Sequence, residues 1–254
     1  MEESVYDLYS REEDTWWWAE GRRSLVTGLW KKYGTGIARP RILEVGCGTG
    51  GLLKRLQEWS TAYGADLSPQ AVAHCFERGL TKVCVADTGH LPFKDDAFDV
   101  VIYVDVFEHL DDDAAGVREA YRVCRPDGRL IATVPAFDFL WSRRDVQLHH
   151  KRRYRRDRFK ELVRREGFKV LKATYVNLPL FFPLIAMVKT GMLKSGGNTE
   201  VDYALAPGPI NRLLATVCRA ESGILRLTDL PVGSSIACVA AKANSGAVGN
   251  TDNR

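Results

Sequence analysis

No two cysteines stand at the short spacing that a zinc finger or a redox pair requires: the six (47, 75, 84, 124, 218 and 238) are scattered along the chain. This argues against a structural zinc and a disulfide scaffold, and fits thiols kept reduced in a cytosol. No residues are assigned to a metal on this pattern. Long apolar runs are also missing. The longest candidate, LPLFFPLIAMV at 178–188, has eleven uncharged residues and two prolines, well short of the ~20 needed to span a bilayer. The opening MEESVYDLYSREED is acidic and polar, unlike a secretory signal, so the expected location is cytoplasmic. No repeat of 20–50 residues recurs, which sets aside solenoids and propellers. What remains is ordinary globular composition: 254 residues, 45% hydrophobic and 27% charged, enough for one α/β domain with a full core.

The net charge is small (+4), but it is unevenly distributed. Residues 143–169 hold twelve Lys/Arg against four acids, a local +8 that leaves the rest of the chain at −4. Such a patch can attract anions, or it can be a solvated helix face beside a loop.

Short apolar runs alternate with amphipathic segments. RILEV (41–45), AYGADL (62–67), KVCVAD (82–87), FDVVIYVDV (98–106) and GRLIATVP (128–135) read as strands. GLLKRLQEW (51–59), PQAVAHCFERG (69–79) and 113–124 read as helices between them. The pattern predicts a parallel sheet of βαβ units with helices on both faces. A helix near 16–32 precedes it; a helix near 155–166 and strands at 167–175 and 235–243 follow. The insertion at 177–234 contains a Gly/Ser/Asn-rich loop (195–198) and helical spacing after Pro209, and is expected to form a helical cap. The expected division is an N-terminal helical lid at 1–34, one domain at 35–243 that includes the cap, and a disordered tail at 244–254.

In the segment 42–51, a buried strand runs into Gly46-Cys47-Gly48-Thr49-Gly50-Gly51 and a helix leaves it. Glycines there allow positive φ and let a ligand approach the backbone. Gly46, Gly48 and Gly51 also spell GxGxxG, so a dinucleotide fold has to be weighed. Asp66, 20 residues after Gly46, ends the second strand, where a carboxylate can accept from both ribose hydroxyls. Asp87, 21 residues further, ends the third and can accept from an adenine amine. Together the three strand ends fit an adenosine lying across one edge of the sheet.

ILEVGCGTGGLL (42–53), GADLSPQAV (64–72), VADTGHLPFKDDAFDVVIYVDVFEHLDD (85–112) and RPDGRLIATVP (125–135) resemble, in order and spacing, the class I S-adenosylmethionine-dependent methyltransferases. The resemblance implies a Rossmann-like seven-stranded sheet with the seventh strand antiparallel, and S-adenosylmethionine as cofactor with S-adenosylhomocysteine as product. It places Glu44, Gly46, Cys47 and Gly48 around the methionine part, Asp66 on the ribose and Leu67 against the adenine. Asp87 and Thr88 would hold the adenine edge, and Val104 would lie beneath the sulfonium. The NAD reading loses ground because no second nucleotide half follows the third strand. EEDTWWWAEGRR (12–23) is similar to a Trp-Trp-Phe-x-x-Arg-Arg element of some of these enzymes, with Thr15 and Trp18 departing from it. Trp17 is expected in a lid, with Arg22 or Arg23 reaching the cofactor's carboxylate; core packing of the indoles is the alternative.

Methyl transfer from a sulfonium needs mainly alignment, but a hydroxyl nucleophile gains from a base of near-neutral pKa. The candidates are His109, after the fourth strand, and His149, His150 and Tyr154, after the fifth; Asp105 is a further one. The apolar stretch around 178–193 beside a basic segment suggests a small amphiphilic acceptor with an acidic or phosphorylated end, or contact with a membrane surface. A nucleic-acid or protein substrate read by 143–169 is the alternative. It is weakened because VDVFEHL stands where an Asn/Asp-Pro-Pro-aromatic motif would be expected.

Overall fold

The computed structural model describes residues 3–190 and 208–243. Two helices come first, α1 (Glu3–Glu12) and α2 (Trp17–Tyr33). Then β1 (Arg41–Val45), α3 (Gly51–Leu56), β2 (Thr61–Asp66), α4 (Pro69–Glu77), β3 (Val83–Val85), β4 (Phe98–Val104), α5 (Asp113–Val123) and β5 (Cys124–Pro135) alternate. After the five-residue α6 (Arg143–Gln147) come α7 (Arg156–Arg165), β6 (Phe168–Val176), α8 (Leu178–Lys189), α9 (Gly208–Leu225) and β7 (Ser235–Lys242). The expected loop at 195–198, the end of the apolar stretch at 191–193 and the tail at 244–254 lie outside the described residues.

The seven strands form one sheet in the order β3-β2-β1-β4-β5-β7-β6. The first five run parallel, and β7 inserts antiparallel between β5 and β6. Continuous apolar runs such as Val100-Val101-Ile102-Tyr103 put β4 in the middle, because a strand covered on both faces has no polar side. Tyr103 stacks on Phe107 at 4.5 Å in that core. The chain reverses direction across the sheet between β1 and β4, so the loops leaving their C-terminal ends splay apart and open a crevice.

Local chemistry sets the element boundaries. Pro69 opens α4 behind Ser68, whose hydroxyl accepts from the Ala71 N–H. Asp112 caps α5 in the same way through Ala115. The third strand stops at Val85, two residues short of the expected end. Asp87 therefore sits in a tight turn, bridged to His90, with its carboxylate accepting from the Gly89 N–H at 2.7 Å.

The insertion divides in two. Helix α9 lies along α2, close enough that a side chain at Gly21 would press on Cys218 at 3.1 Å. Glu221 of α9 accepts from the N–H groups of Asn177 and Leu178 and so caps α8 from a distance. In α8 only Phe181 is buried; Phe182 is 63% exposed. Among the described residues, no helix is long and apolar enough to cross a membrane.

Candidate active site

At the end of β1 the backbone swings into positive φ at Gly46 (71°) and Gly48 (53°). The two glycines serve different ends. A Cβ on Gly46 would collide with Val106 at 2.4 Å, so that turn is closed by packing. A Cβ on Gly48 would meet nothing within 4 Å, so the backbone there borders open space. Asp66, at the tip of β2, faces the same space. Its Oδ2 accepts from the Gly48 N–H at 2.8 Å and its Oδ1 from the Ser68 N–H at 2.9 Å, which leaves a lone pair on each oxygen for a ligand. Burial pushes the Asp66 carboxyl up against those donors.

Glu44 is the unusual group. It is 4% exposed, and its Oε2 has no hydrogen-bond partner among the described residues. Burial raises its pKa well above the usual carboxylate range, with Cys75, Glu13 and Asp66 nearby adding to the effect. A buried carboxylate with an unpartnered oxygen beside an open glycine loop suits a ligand that brings its own cation, as the ammonium of a methionine moiety does. Leu67 is 68% exposed beside Asp66, and Asp87 and the buried Thr88 lie beyond it. The residues therefore fit S-adenosylmethionine: Glu44 for the ammonium, Asp66 for the ribose, Leu67, Asp87 and Thr88 for the adenine.

Helix α1, within the segment 1–34 expected as a lid, lies against this cradle. On one side Asp7 meets His74 of α4 at 3.0 Å, and Arg78 reaches Asp14 and the Ser10 carbonyl. On the other, Leu8 and Tyr9 pack on Leu148 beside α6. In the middle Glu13 accepts from the Thr49 hydroxyl of the glycine loop and pairs with Arg78 at 3.0 Å.

Two expectations for the next segment are corrected. Arg22 does not point at a cofactor carboxylate. It is buried, donates to both oxygens of Asp105 (2.8 and 3.1 Å) and to Ser235 Oγ (3.0 Å), and lies over the Trp18 ring at 4.2 Å. Arg23 likewise bonds the Glu13 and Asp14 carbonyls. Trp17 is held by Asn211 of α9 and touches Trp18 edge-on, so the buried indole of the three is Trp16, packed on Tyr9 at 5.5 Å.

At the end of β4, Val104 is half-buried and Asp105 takes a left-handed conformation (φ 55°). Thr133 of β5 fixes it, donating to its carboxylate at 2.9 Å and accepting from its N–H. A 3-10 turn at Phe107–His109 then carries Glu108 and His109 to His150. The two imidazoles meet edge to face at 4.8 Å, and His150 Nε2 lies 4.0 Å from Glu108 Oε1. Burial and the neighbouring His150 push His109 down to about 4, so it is neutral at pH 7. His150 Nδ1 bonds Asp145 at 2.9 Å. Burial alone would raise Asp145, but His150 and Arg153 outweigh it and hold that carboxyl below the usual range.

Tyr154 also departs from expectation. It is a core residue, not one at the mouth. Its hydroxyl donates to the Asp113 carboxylate at 2.8 Å and contacts the Phe107 carbonyl; burial and Asp113 push its pKa far up, so it is no base. His149 is exposed, at positive φ. The sequence reading missed Glu108, whose only visible signal was its adjacency to His109.

The family model described as a methyltransferase domain matches residues 43–132, the span from β1 to β5. The chain is 32% identical, over 51% of its length and 52% of the other, to a protein of Mycolicibacterium smegmatis named "Probable S-adenosylmethionine-dependent methyltransferase". The stretch from β1 to β5 is a class I S-adenosylmethionine-dependent methyltransferase domain. It is also similar to an uncharacterized protein of Methanocaldococcus jannaschii, 27% identical over 67% of this chain and 84% of that one. Among solved structures, a chain from the complex of the Haloferax volcanii Trm112 methyltransferase activator with a methyltransferase shares the fold. Its TM-score is 0.60 at 16% identity, covering 94% of this chain and 96% of that one. In this methyltransferase the family match ends at residue 132, so α1, α2, the basic segment and the cap lie outside it.

Proposed function

We propose that this methyltransferase acts on a small amphiphilic acceptor with an acidic or phosphorylated end. The observation that carries the reading is an aromatic shelf just past β5. Phe137 stacks on Tyr175 at 4.9 Å and on Phe139 at 5.1 Å, and Phe181 of α8 closes the group at 5.8 Å. Phe139 is 56% exposed and Phe182, on the next face of α8, is 63% exposed. An apolar tail laid on this shelf has the basic α6 segment, which carries Arg143, a few residues away along the chain. The same exposed side of α8 suits contact with a membrane surface.

The basic segment supports a polyanion less well than its composition suggests. Arg153 is bound to Asp145, Arg152 to Asp113, Lys151 to Asp111 and Arg165 to Glu161, while Arg144 lies over Trp16 and Trp18. Cations held in this way offer little to a phosphate backbone.

The cofactor supplies an activated methyl group. The chain's part is to bind and align: Glu44 holds the amino-acid end of the cofactor and Asp66 its ribose, and α1 covers it to exclude water. Positioning of this kind contributes roughly 7–11 kcal/mol to such transfers. On the acceptor side, the cluster of Glu108, His109 and His150 offers groups that can take the proton of a hydroxyl nucleophile. The N-terminal segment 1–34 acts as the lid in this reading, and the domain at 35–243 carries the rest.

Calorimetric titration with S-adenosylmethionine, S-adenosylhomocysteine and NAD in parallel tests the first half. The second is tested by transfer of labelled methyl from S-adenosylmethionine to panels of amphiphilic carboxylic acids and phosphates, to RNA and to protein. Micromolar binding of both adenosyl ligands with label on an amphiphile is expected. Label on RNA or protein alone would overturn the acceptor class, and absence of adenosyl binding would overturn the whole reading.

A further inference from the structure

We propose that Glu108, His109 and His150 form a binding site for a divalent first-row transition metal ion. One donor atom from each residue can be chosen so that all three lie within 4.8 Å of one another. Around an ion with ligands at ~2.0–2.2 Å, neighbouring donors stand ~3.4 Å apart, so the cluster closes onto a metal by rotamer shifts of about an ångström.

Three independent features point to an ion. First, Glu108 is completely buried and neither of its oxygens has a hydrogen-bond partner among the described residues. The 4.0 Å gap to His150 is too long for a hydrogen bond, so the imidazole does not satisfy it. Second, His150 is oriented from behind. Asp145 accepts from its Nδ1 at 2.9 Å, which leaves the Nε2 lone pair directed at Glu108 and His109. Carboxylate–histidine pairs hold metal-binding imidazoles in this tautomer. Third, Asp145 is itself fixed by four donors, two from Arg153 (2.8 and 2.9 Å) and two from Ser142 (2.8 and 3.0 Å). Such a support is built to hold one histidine in place.

Two imidazoles and one carboxylate suit zinc, cobalt, iron or manganese; magnesium and calcium prefer sites made wholly of oxygen. Three protein ligands leave at least one position open for water. If the proposed methyl transfer holds, that position is where an acceptor oxygen would bind. The metal site itself does not depend on that reading, because none of its ligands belongs to the cradle around Glu44 and Asp66.

The test uses the full-length protein stripped of metal with a chelator and titrated with Zn2+ alone, then with Co2+ followed by visible absorption. We expect one ion per chain at submicromolar Kd, with cobalt bands of a low-coordinate site. Glu108→Gln and His150→Ala should each weaken binding by at least 100-fold, and Asp145→Asn, which acts through His150, by about 10–100-fold. His74→Ala and His90→Ala, away from the cluster, should leave it unchanged. No binding in the wild type, or binding unaffected by both ligand variants, would overturn the proposal. Circular dichroism verifies that each variant is folded. Titration of S-adenosylmethionine into the same metal-free protein reports the cofactor reading separately.

Discussion

Glu44 lies near the end of β1 and Glu108 just beyond the neighbouring β4, and each is a buried carboxylate with an unpaired oxygen. Their surroundings differ. Glu44 sits in a wall of glycine and backbone, where few side chains compete for the ligand and Gly48 opens on empty space. Glu108 sits among side chains that hold one another, from Arg22–Asp105–Thr133 on one side to Asp145–His150 on the other. The cofactor side of the crevice keeps its polar groups for a ligand, whereas the acceptor side ties most of them together. Loss of a group should therefore read out differently on the two sides: as affinity on the first and as stability on the second.

Arg22→Ala puts the largest effect on that contrast. It strips a bidentate partner from Asp105, whose side chain is a quarter exposed. Removing one member of a buried pair costs 3–5 kcal/mol, and solvent at Asp105 reduces that to about 2–3 kcal/mol. A fall in Tm of about 5–10 °C with S-adenosylmethionine affinity held within about threefold is expected. A large affinity loss at unchanged Tm would erase the distinction. Asp66→Ala is the opposite case. Loss of a charge-assisted hydrogen bond, about 1.5–3 kcal/mol, should weaken cofactor binding by about 10-fold or more with a smaller change in Tm than Arg22→Ala produces.

The sequence made the cofactor side readable because its chemistry is local. Asp66 follows Gly46 by one βα unit, and the spacing alone brings both to one edge of the sheet. Arg22 and Asp105 are 83 residues apart, and Glu108 and His150 are 42 apart, so no window contains either pair. Cysteine spacing argues only against zinc sites built from cysteine pairs and has nothing to say about a Glu-His pair completed from another loop. Tyr154 was misjudged for a related reason: a tyrosine in a basic run looks exposed until α5 supplies Asp113 for its hydroxyl. A lid at 1–34 is expected from the sequence, but the contacts that seat α1, Asp7 with His74 and Glu13 with Arg78, join distant segments and leave no local signal.

A proton sharpens the comparison further. Burial holds Glu44 largely protonated well above the usual carboxylate range, and an incoming ammonium favours the ionised form. Cofactor binding should therefore release a proton, with affinity rising as pH climbs toward the raised pKa of the free protein and levelling off above it. Titrations in buffers of different ionisation enthalpy measure that proton directly, and Glu44→Gln should abolish the dependence. The smallest expected effect belongs to the lid. Glu13→Gln weakens the tie between α1 and the glycine loop by about 1 kcal/mol or less, which stopped-flow should record as cofactor release up to about fivefold faster.

The position of β7 has a consequence for how the chain acquires its structure. Strands β5 and β6 do not pair with each other; β7, which comes after both in the chain, lies between them. Until Ser235–Lys242 has been synthesised and has slid into that gap, β5 remains an open edge and β6 has no neighbour. The five parallel strands β1 to β5 can assemble from residues up to about 135, while β6 waits for the later insertion of β7. Long-range pairing is the slow step in folding, and an unpaired apolar edge is what aggregates in the meantime. Crowded growth conditions should therefore trap this chain with its five parallel strands formed and the far side of its sheet unfinished.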